Sequence, residues 1–402
     1  MSTTTIHVGV GTRVLALVFL AAMIEGFDLQ AAGVAAPKLA PAFGLHPSQM
    51  GVFFSSATIG AIFGALAGGI IGDRYGRRAG LVLSLAVFGA FSLGTAWAGT
   101  FDHLVIMRFL TGVGMGGALP NLISIAAEAA SPERHGRAVA IMYAGVPLGG
   151  AIASLVSMVG LHEDWQSIFF IGGLMPLVLV IPLYLILPSF RVVHNAAAPA
   201  SHWRALFARG SMGNTMLLWA AFFFGMIVLY LLLNWLPQLL VSLGFAREQA
   251  AMVQILFNIG GSAGCMLGGQ LLDSSRPALA TVAWFTVLIV AVVLFSVVPG
   301  GNMTAAVAAG ILTGATLMGS QALLYGIAPQ CYLAEVRGTG VGLAVSVGRI
   351  GSITGPLLAG FLLASGMGPQ QLLFAILPFV TVCGLATVAL IIRRGRRPAL
   401  LA

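Results

Sequence analysis

Twelve apolar runs, each close to twenty residues long, decide what this chain can fold into. They cover 13–36, 50–71, 79–98, 104–130, 138–160, 166–187, 213–236, 249–272, 278–298, 303–327, 339–363 and 371–392. A helix of about 20 residues crosses the roughly 30 Å hydrocarbon core of a bilayer. Strands of a membrane barrel would be half as long and alternate in polarity, and none of these runs alternates. The expectation is an all-α membrane protein of twelve transmembrane helices. Composition agrees: 59% of the 402 residues are hydrophobic and 7% are charged, where a soluble domain averages about 25% charged. A soluble enzyme, a nucleic-acid-binding protein and a disordered regulator are excluded on that ground. The surrounding partner is a lipid bilayer.

The net charge of +8 is carried mostly by short loops, so it reports orientation. With the N-terminus placed inside, fifteen arginines fall on the inner side, and Lys38 and Arg247 fall outside. By the positive-inside rule both termini are expected in the cytoplasm. The opening stretch Met1–Gly11 is polar and short, and the run after it holds Glu25 and Asp28. A cleaved signal peptide would not tolerate two acids there, so a retained first span is expected. The three cysteines have no metal or disulfide spacing, and no cofactor is expected. One long connection, 188–212, divides the chain into halves 1–187 and 213–402. The halves repeat: Gly69-Ile70-Ile71-Gly72-Asp73 matches Gly269-Gln270-Leu271-Leu272-Asp273, and Glu133-Arg134-His135-Gly136 matches Glu335-Val336-Arg337-Gly338. Two six-helix halves related by a parallel repeat mark a secondary transporter.

Two patterns of soluble enzymes occur out of context. Gly112-Val113-Gly114-Met115-Gly116-Gly117 has the dinucleotide-binding spacing but lies inside a span with no strand before it. Gly260-Gly261-Ser262-Ala263-Gly264 has the nucleophile-elbow spacing, also inside a span. Close helix packing through small residues accounts for both, and for the stripe Gly60, Gly64, Gly68 and Gly72. With no metal-ligand cluster or nucleophile–base pair, an enzyme is not expected. The loop after span two reads differently. Gly69-x3-Asp73-Arg74-x-Gly76-Arg77-Arg78 packs an acid, a tight turn and three arginines between two spans. An orientation signal explains the arginines but not Asp73 or the glycines. The pattern resembles the loop 2–3 signature of the major facilitator superfamily. That resemblance implies a cytoplasmic latch holding the two halves together in the outward-open state, with Asp73, Arg74 and Arg78 in its working positions. It also implies Glu128, at the end of span four, as a partner for Arg74, Arg78 or Arg137.

Glu25 and Asp28 are three residues apart and share one helix face. Counted from Arg13 at 1.5 Å per residue they lie roughly 18 and 22 Å into the membrane. Each ionised acid there costs about 2.5–3.5 kcal/mol on insertion scales. They are candidates for exchanging a proton; the other reading is structural pairing with arginine. Glu25-Gly26-Phe27-Asp28 resembles the first-span motif of the aromatic acid:proton symporter family within the superfamily, with Glu25 where that family usually has Asp. With Leu29-Gln30-Ala31-Ala32-Gly33 following, it is most similar to the 3-(3-hydroxyphenyl)propionate transporters of that family. Asn234-Trp235-Leu236-Pro237 and Gly348-Arg349 add to the likeness.

An anionic substrate calls for an intramembrane cation. Arg349 lies about 15 Å into span eleven and could grip a carboxylate through two parallel hydrogen bonds; a structural bridge is the alternative. Arg108, counted about one turn into span four, is expected to pair with Asp28, gate the outer mouth, or snorkel. Asn121, Asn234, Gln321 and Tyr325 could read a ring hydroxyl or bridge helices. Phe222, Phe223, Phe224, Tyr230 and Trp235 could line an aryl pocket or face lipid. The resulting expectation is a monomeric proton-coupled importer of a small aromatic carboxylate in a bacterial cytoplasmic membrane. The rivals are an exporter of the same superfamily and a membrane sensor that binds without transporting. Gly145-Val146-Pro147-Leu148-Gly149-Gly150 lacks the G-P-x-x-G-G spacing usual in antiport exporters.

Overall fold

The computed structural model describes residues 8–131, 135–159, 164–187, 212–297, 302–332 and 337–395. Its α-helices are α1 Val8–Phe43, α2 Pro47–Tyr75, α3 Arg77–Ala96, α4 Phe101–Glu128, α5 His135–Met158, α6 Gln166–Ile186, α7 Met212–Ser242, α8 Arg247–Gln270, α9 Pro277–Val297, α10 Met303–Ile327, α11 Arg337–Ala364, α12 Pro369–Ala375 and α13 Leu377–Gly395. Among the described residues twelve helical spans are long and apolar enough to cross a membrane, the twelfth being α12 and α13 together. Helices satisfy their own backbone, which a spanning segment must do where no water is available. Large apolar side chains such as Leu66, Ile70, Leu185, Met266, Phe361 and Leu385 remain on the surface, as expected of a fold whose solvent is lipid.

The chain forms two compact units, Met1–Leu45 with Val52–Asn195, and His46–Gly51 with Ala196–Ala402. Within the first, the glycines of α2 and α4 abolish the space a side chain would need. A methyl group on Gly60 or Gly64 would strike the carbonyls of Phe109 or Val113, and one on Gly112 or Gly116 the carbonyls of Ala57 or Ala61. Within the second, Gly260, Gly264 and Gly268 of α8 meet the carbonyls of Ile311, Ala315 and Gly319 of α10 in the same way. Gly64 and Gly264, and Gly68 and Gly268, are 200 residues apart. Both out-of-context enzyme patterns are therefore packing surfaces: small residues let helices approach, and dispersion then holds them where lipid supplies no hydrophobic drive. Gly145 and Gly149 of α5 do the same against the backbone of Phe19 and Met23 in α1, and Gly26 of α1 against Val146.

Helix ends repeat too. Gly44 and Gly244 take positive φ after α1 and α7. The next amides, Leu45 and Phe245, reach back to the carbonyls of Ala40 and Leu240 at 2.9 and 3.1 Å. These are matched glycine-capped helix ends. Gln49 and Gln249 then accept from the amides of His46 and Ala246, both at 2.9 Å.

Candidate functional site

In the first unit, the helices pack around an ion pair in the middle of α1. Arg108 Nη1 donates to Asp28 Oδ2 at 2.7 Å, and both side chains are buried. Arg108 Nη2 reaches the Asp28 carbonyl at 3.4 Å. Ser92 Oγ, from α3, donates to Asp28 Oδ1 at 2.9 Å. The guanidinium lies over the Phe169 ring of α6, 5.6 Å from its centroid. Gly172, one turn on, leaves room at the same carboxylate. Three helices, α3, α4 and α6, thus place groups around Asp28. The pairing expected of Arg108 and Asp28 is present, and snorkelling is not. Arg108 is only 2% exposed, because α4 begins at Phe101 and Asp28 offers a nearer charge than any interface. Glu25 lies one turn earlier on α1 and is half-buried. Ser92 gave no signal in the sequence, being one small residue among many in an apolar run.

In the second unit, Arg349 of α11 approaches α7. Gly348 faces Phe222 and Met226, while Gly351 and Gly355 face the carbonyls of Phe223 and Ile227. That close approach sets Arg349 Nη1 3.4 Å from the Tyr230 hydroxyl. Tyr325 of α10 interacts electrostatically with Arg349 and Tyr230. Its ring meets the buried Phe222 edge-on, with centroids 5.1 Å apart. One cation, two phenols and an apolar ring therefore converge between α7, α10 and α11. Tyr230 is the hydroxyl beside the cation, which the sequence alone did not single out from the other aromatics.

The polar candidates separate by their partners. Asn121 Nδ2 donates to the carbonyls of Gly68 and Gly117 at 3.1 and 2.9 Å, joining α4 to α2. It bridges the two helices. Asn234 Nδ2 donates to the Tyr230 carbonyl at 2.8 Å along its own helix. Trp235 Nε1 donates to the Pro356 carbonyl at 3.1 Å, tying α7 to α11. Gln321 differs: it is 6% exposed, and neither amide atom has a hydrogen-bond partner among the described residues. It faces Gly225, where a methyl group would come within 2.6 Å of its Nε2.

The α2–α3 turn is built by Gly76, whose φ of 96° and ψ of 147° suit glycine almost alone. Asp73 pairs with Arg77 across it at 2.9 Å. Arg78 has its partners at the end of α6. Its Nη1 donates to the carbonyls of Tyr184 and Leu187 at 3.4 and 3.2 Å, and it covers the Tyr184 ring at 4.9 Å. It completes the C-terminal end of α6, where orphan carbonyls and the helix dipole favour a cation. Arg74 lies by the Tyr75 ring and Glu128 is exposed at the end of α4. Gly69 has open space where a side chain would project. The side chain of Arg137 lies outside the described residues.

The chain matches the Major Facilitator Superfamily profile over residues 18–355. It is 44% identical over 382 residues to the 3-(3-hydroxy-phenyl)propionate transporter of Escherichia coli strain K12, covering 95% of this chain and 94% of that one. It is 32% identical to the 4-hydroxybenzoate transporter PcaK of Pseudomonas putida, covering 95% and 92%. In fold it resembles a bacterial homolog of the human lysosomal transporter Spinster, with a TM-score of 0.74, 17% identity and coverage of 98% and 96%. It also resembles the D-xylose-proton symporter, with a TM-score of 0.72, 18% identity and coverage of 94% and 96%. Twelve helical spans, the halves' repeated packing and these likenesses agree, and the chain belongs to the major facilitator superfamily as a membrane transporter.

Proposed function

We propose that this transporter imports a small aromatic carboxylate of the hydroxyphenylpropionate or hydroxybenzoate kind together with protons, by alternating access. It works as a monomer in a bacterial cytoplasmic membrane, with both termini in the cytoplasm. The observation that carries this reading is the convergence of Arg349, Tyr230, Tyr325 and Phe222 in the middle of the second unit. An arginine at that depth costs about 2.5–3.5 kcal/mol on insertion scales, a cost that points to function. Its planar fork matches a carboxylate. The Phe222 and Tyr325 rings offer an aryl ring edge and face contacts. Gln321, a buried amide that can both donate and accept, suits a ring hydroxyl. The names of the relatives at 44% and 32% identity support the same substrate class.

Proton coupling belongs to the first unit in this reading. Glu25 takes up and releases the proton, while Asp28 stays with Arg108. Protonating Glu25 offsets the charge that must cross, and the Arg349–carboxylate pair offsets the rest. Asp73 and Arg74, with Glu128 and Arg137, bias the balance between states as the latch.

The test is uptake of radiolabelled phenylpropionates, hydroxybenzoates and aliphatic acids into vesicles under an imposed proton gradient. Hydroxylated aromatic acids should accumulate, more so as external pH falls, and a protonophore should abolish accumulation. Accumulation unchanged by collapse of the gradient would refute coupling, and preference for aliphatic acids would refute the substrate class.

A further inference from the structure

We infer that Ser92 is a positioning residue that keeps Asp28 a hydrogen-bond acceptor and thereby assigns the exchangeable proton to Glu25. The inference rests on the proton-coupled reading above and goes beyond it. Asp28 and Glu25 stand one turn apart on α1, and two carboxylates that close compete for one proton. What distinguishes them is their surroundings. Asp28 Oδ2 accepts from Arg108 at 2.7 Å and Oδ1 from Ser92 at 2.9 Å, so both oxygens are engaged by donors. A protonated acid would turn one of those acceptors into a donor. Facing Arg108 it would meet only N–H groups.

Ser92 decides the other side. Its hydroxyl is buried and has a second acceptor, the Phe169 carbonyl of α6 at 3.4 Å. The hydroxyl hydrogen points either to Asp28 or to that carbonyl. With the hydrogen on Asp28, the carboxylate is held; turned to Phe169, the serine oxygen would be free to accept a proton bound to Asp28. The shorter 2.9 Å bond selects the first arrangement.

Among the described residues the groups that face Asp28 come from three neighbouring helices and from α1. Arg108 comes from α4, Ser92 from α3, and the Phe169 ring and carbonyl with Gly172 from α6. Glu25 is on α1 itself. Toward α5 the neighbours of Gly26 are backbone, at Val146. Arg77 and Arg78 of α3 and Tyr184 of α6 lie more than three turns from this level, whereas Tyr143 of α5 lies within one turn of Val146, and Asp102 and His103 of α4 lie less than two turns from Arg108. Removing the Ser92 hydroxyl alters the contest at Asp28 while leaving Glu25, Arg108 and these groups in place.

The experiment compares wild type, Ser92→Ala and Ser92→Thr, measuring proton-driven uptake of 3-(3-hydroxyphenyl)propionate from pH 5 to 9 beside counterflow at fixed pH. Ser92→Ala should retain counterflow while its half-maximal uptake moves upward by about one pH unit, the scale of one hydrogen bond to a charged group. Ser92→Thr, which keeps the hydroxyl, should follow the wild-type profile. Ser92→Ala with an unmoved midpoint, whether counterflow is intact or falls in proportion with uptake, would overturn the assignment. Wild-type uptake that ignores pH would overturn the coupling itself, a result distinct from an unmoved midpoint in a pH-sensitive protein.

Discussion

The two units pack their helices alike and differ in where they bury charge. In each, glycines 200 residues apart press one helix backbone against another: Gly64 on Val113 in the first unit, Gly264 on Ala315 in the second. The first unit holds acids in mid-span, Glu25 and Asp28, with Asp28 on Arg108. In 213–402 the acids are Glu248, Asp273 and Glu335, all outside the apolar runs of the sequence, while Arg349 lies in mid-span beside Tyr230 and Tyr325. The scaffold is duplicated and the buried charges are not. A helix-packing surface tolerates duplication because it needs only small residues, whereas the proton site and the carboxylate site we propose need opposite charges.

The largest break in this contrast should come from the ion pair. Asp28→Asn keeps the shape but leaves Arg108 buried without its countercharge, which typically costs about 3–5 kcal/mol. Thermal unfolding in detergent should show a large drop. Adding Arg108→Gln should restore part of it, as a double-mutant cycle reports for coupled residues. Full additivity of the two losses would mean the pair is not a unit.

Arg349→Ala should reduce substrate affinity on the order of 100-fold, close to 2.7 kcal/mol, with a smaller change in stability than Asp28→Asn. Arg349→Lys should recover only part, because Lys keeps the charge but not the planar fork. Equal affinity in wild type and Arg349→Lys, measured by isothermal titration or a binding assay, would remove the two-pronged grip.

Packing substitutions should be smaller and alike in the two units. Gly64→Ala and Gly264→Ala each place a methyl group against backbone and should cost about 1–3 kcal/mol. A much larger loss in one unit would break the equivalence of their scaffolds. Gly69→Ala and Gly269→Ala meet open space and should leave stability within about 0.5 kcal/mol. Reduced transport by folded Gly69→Ala would then support a latch at the α2–α3 turn.

The sequence made the spans legible because apolar length is what a bilayer demands, and it erred where hydropathy and backbone part company. By hydropathy the first run ends at residue 36, before Pro37 and Lys38, yet α1 continues to Phe43 and is stopped by Gly44. Span seven likewise runs past Pro237 to Ser242 before Gly244. The Asp28–Arg108 pair could be anticipated because charges in mid-span must find each other. Arg78 could not be placed: counting arginines in a loop reveals orientation, not which carbonyls at the end of α6 await a donor. Asn121 and Gln321 looked equivalent in sequence, each one amide in an apolar run. Only packing separates them, since Gly68 and Gly117 offer carbonyls to one, while the other packs against Gly225 with no hydrogen-bond partner among the described residues.

The division of labour is tested most directly by Glu25→Gln, assayed by counterflow and by proton-driven uptake in the same vesicles. Glutamine mimics the protonated acid, and Arg349 is untouched. The account predicts that labelled substrate still exchanges across the membrane at a rate near that of wild type, while accumulation against a gradient falls to simple equilibration. Concentrative uptake by Glu25→Gln at the wild-type level would contradict it, and the proton would have to be carried elsewhere.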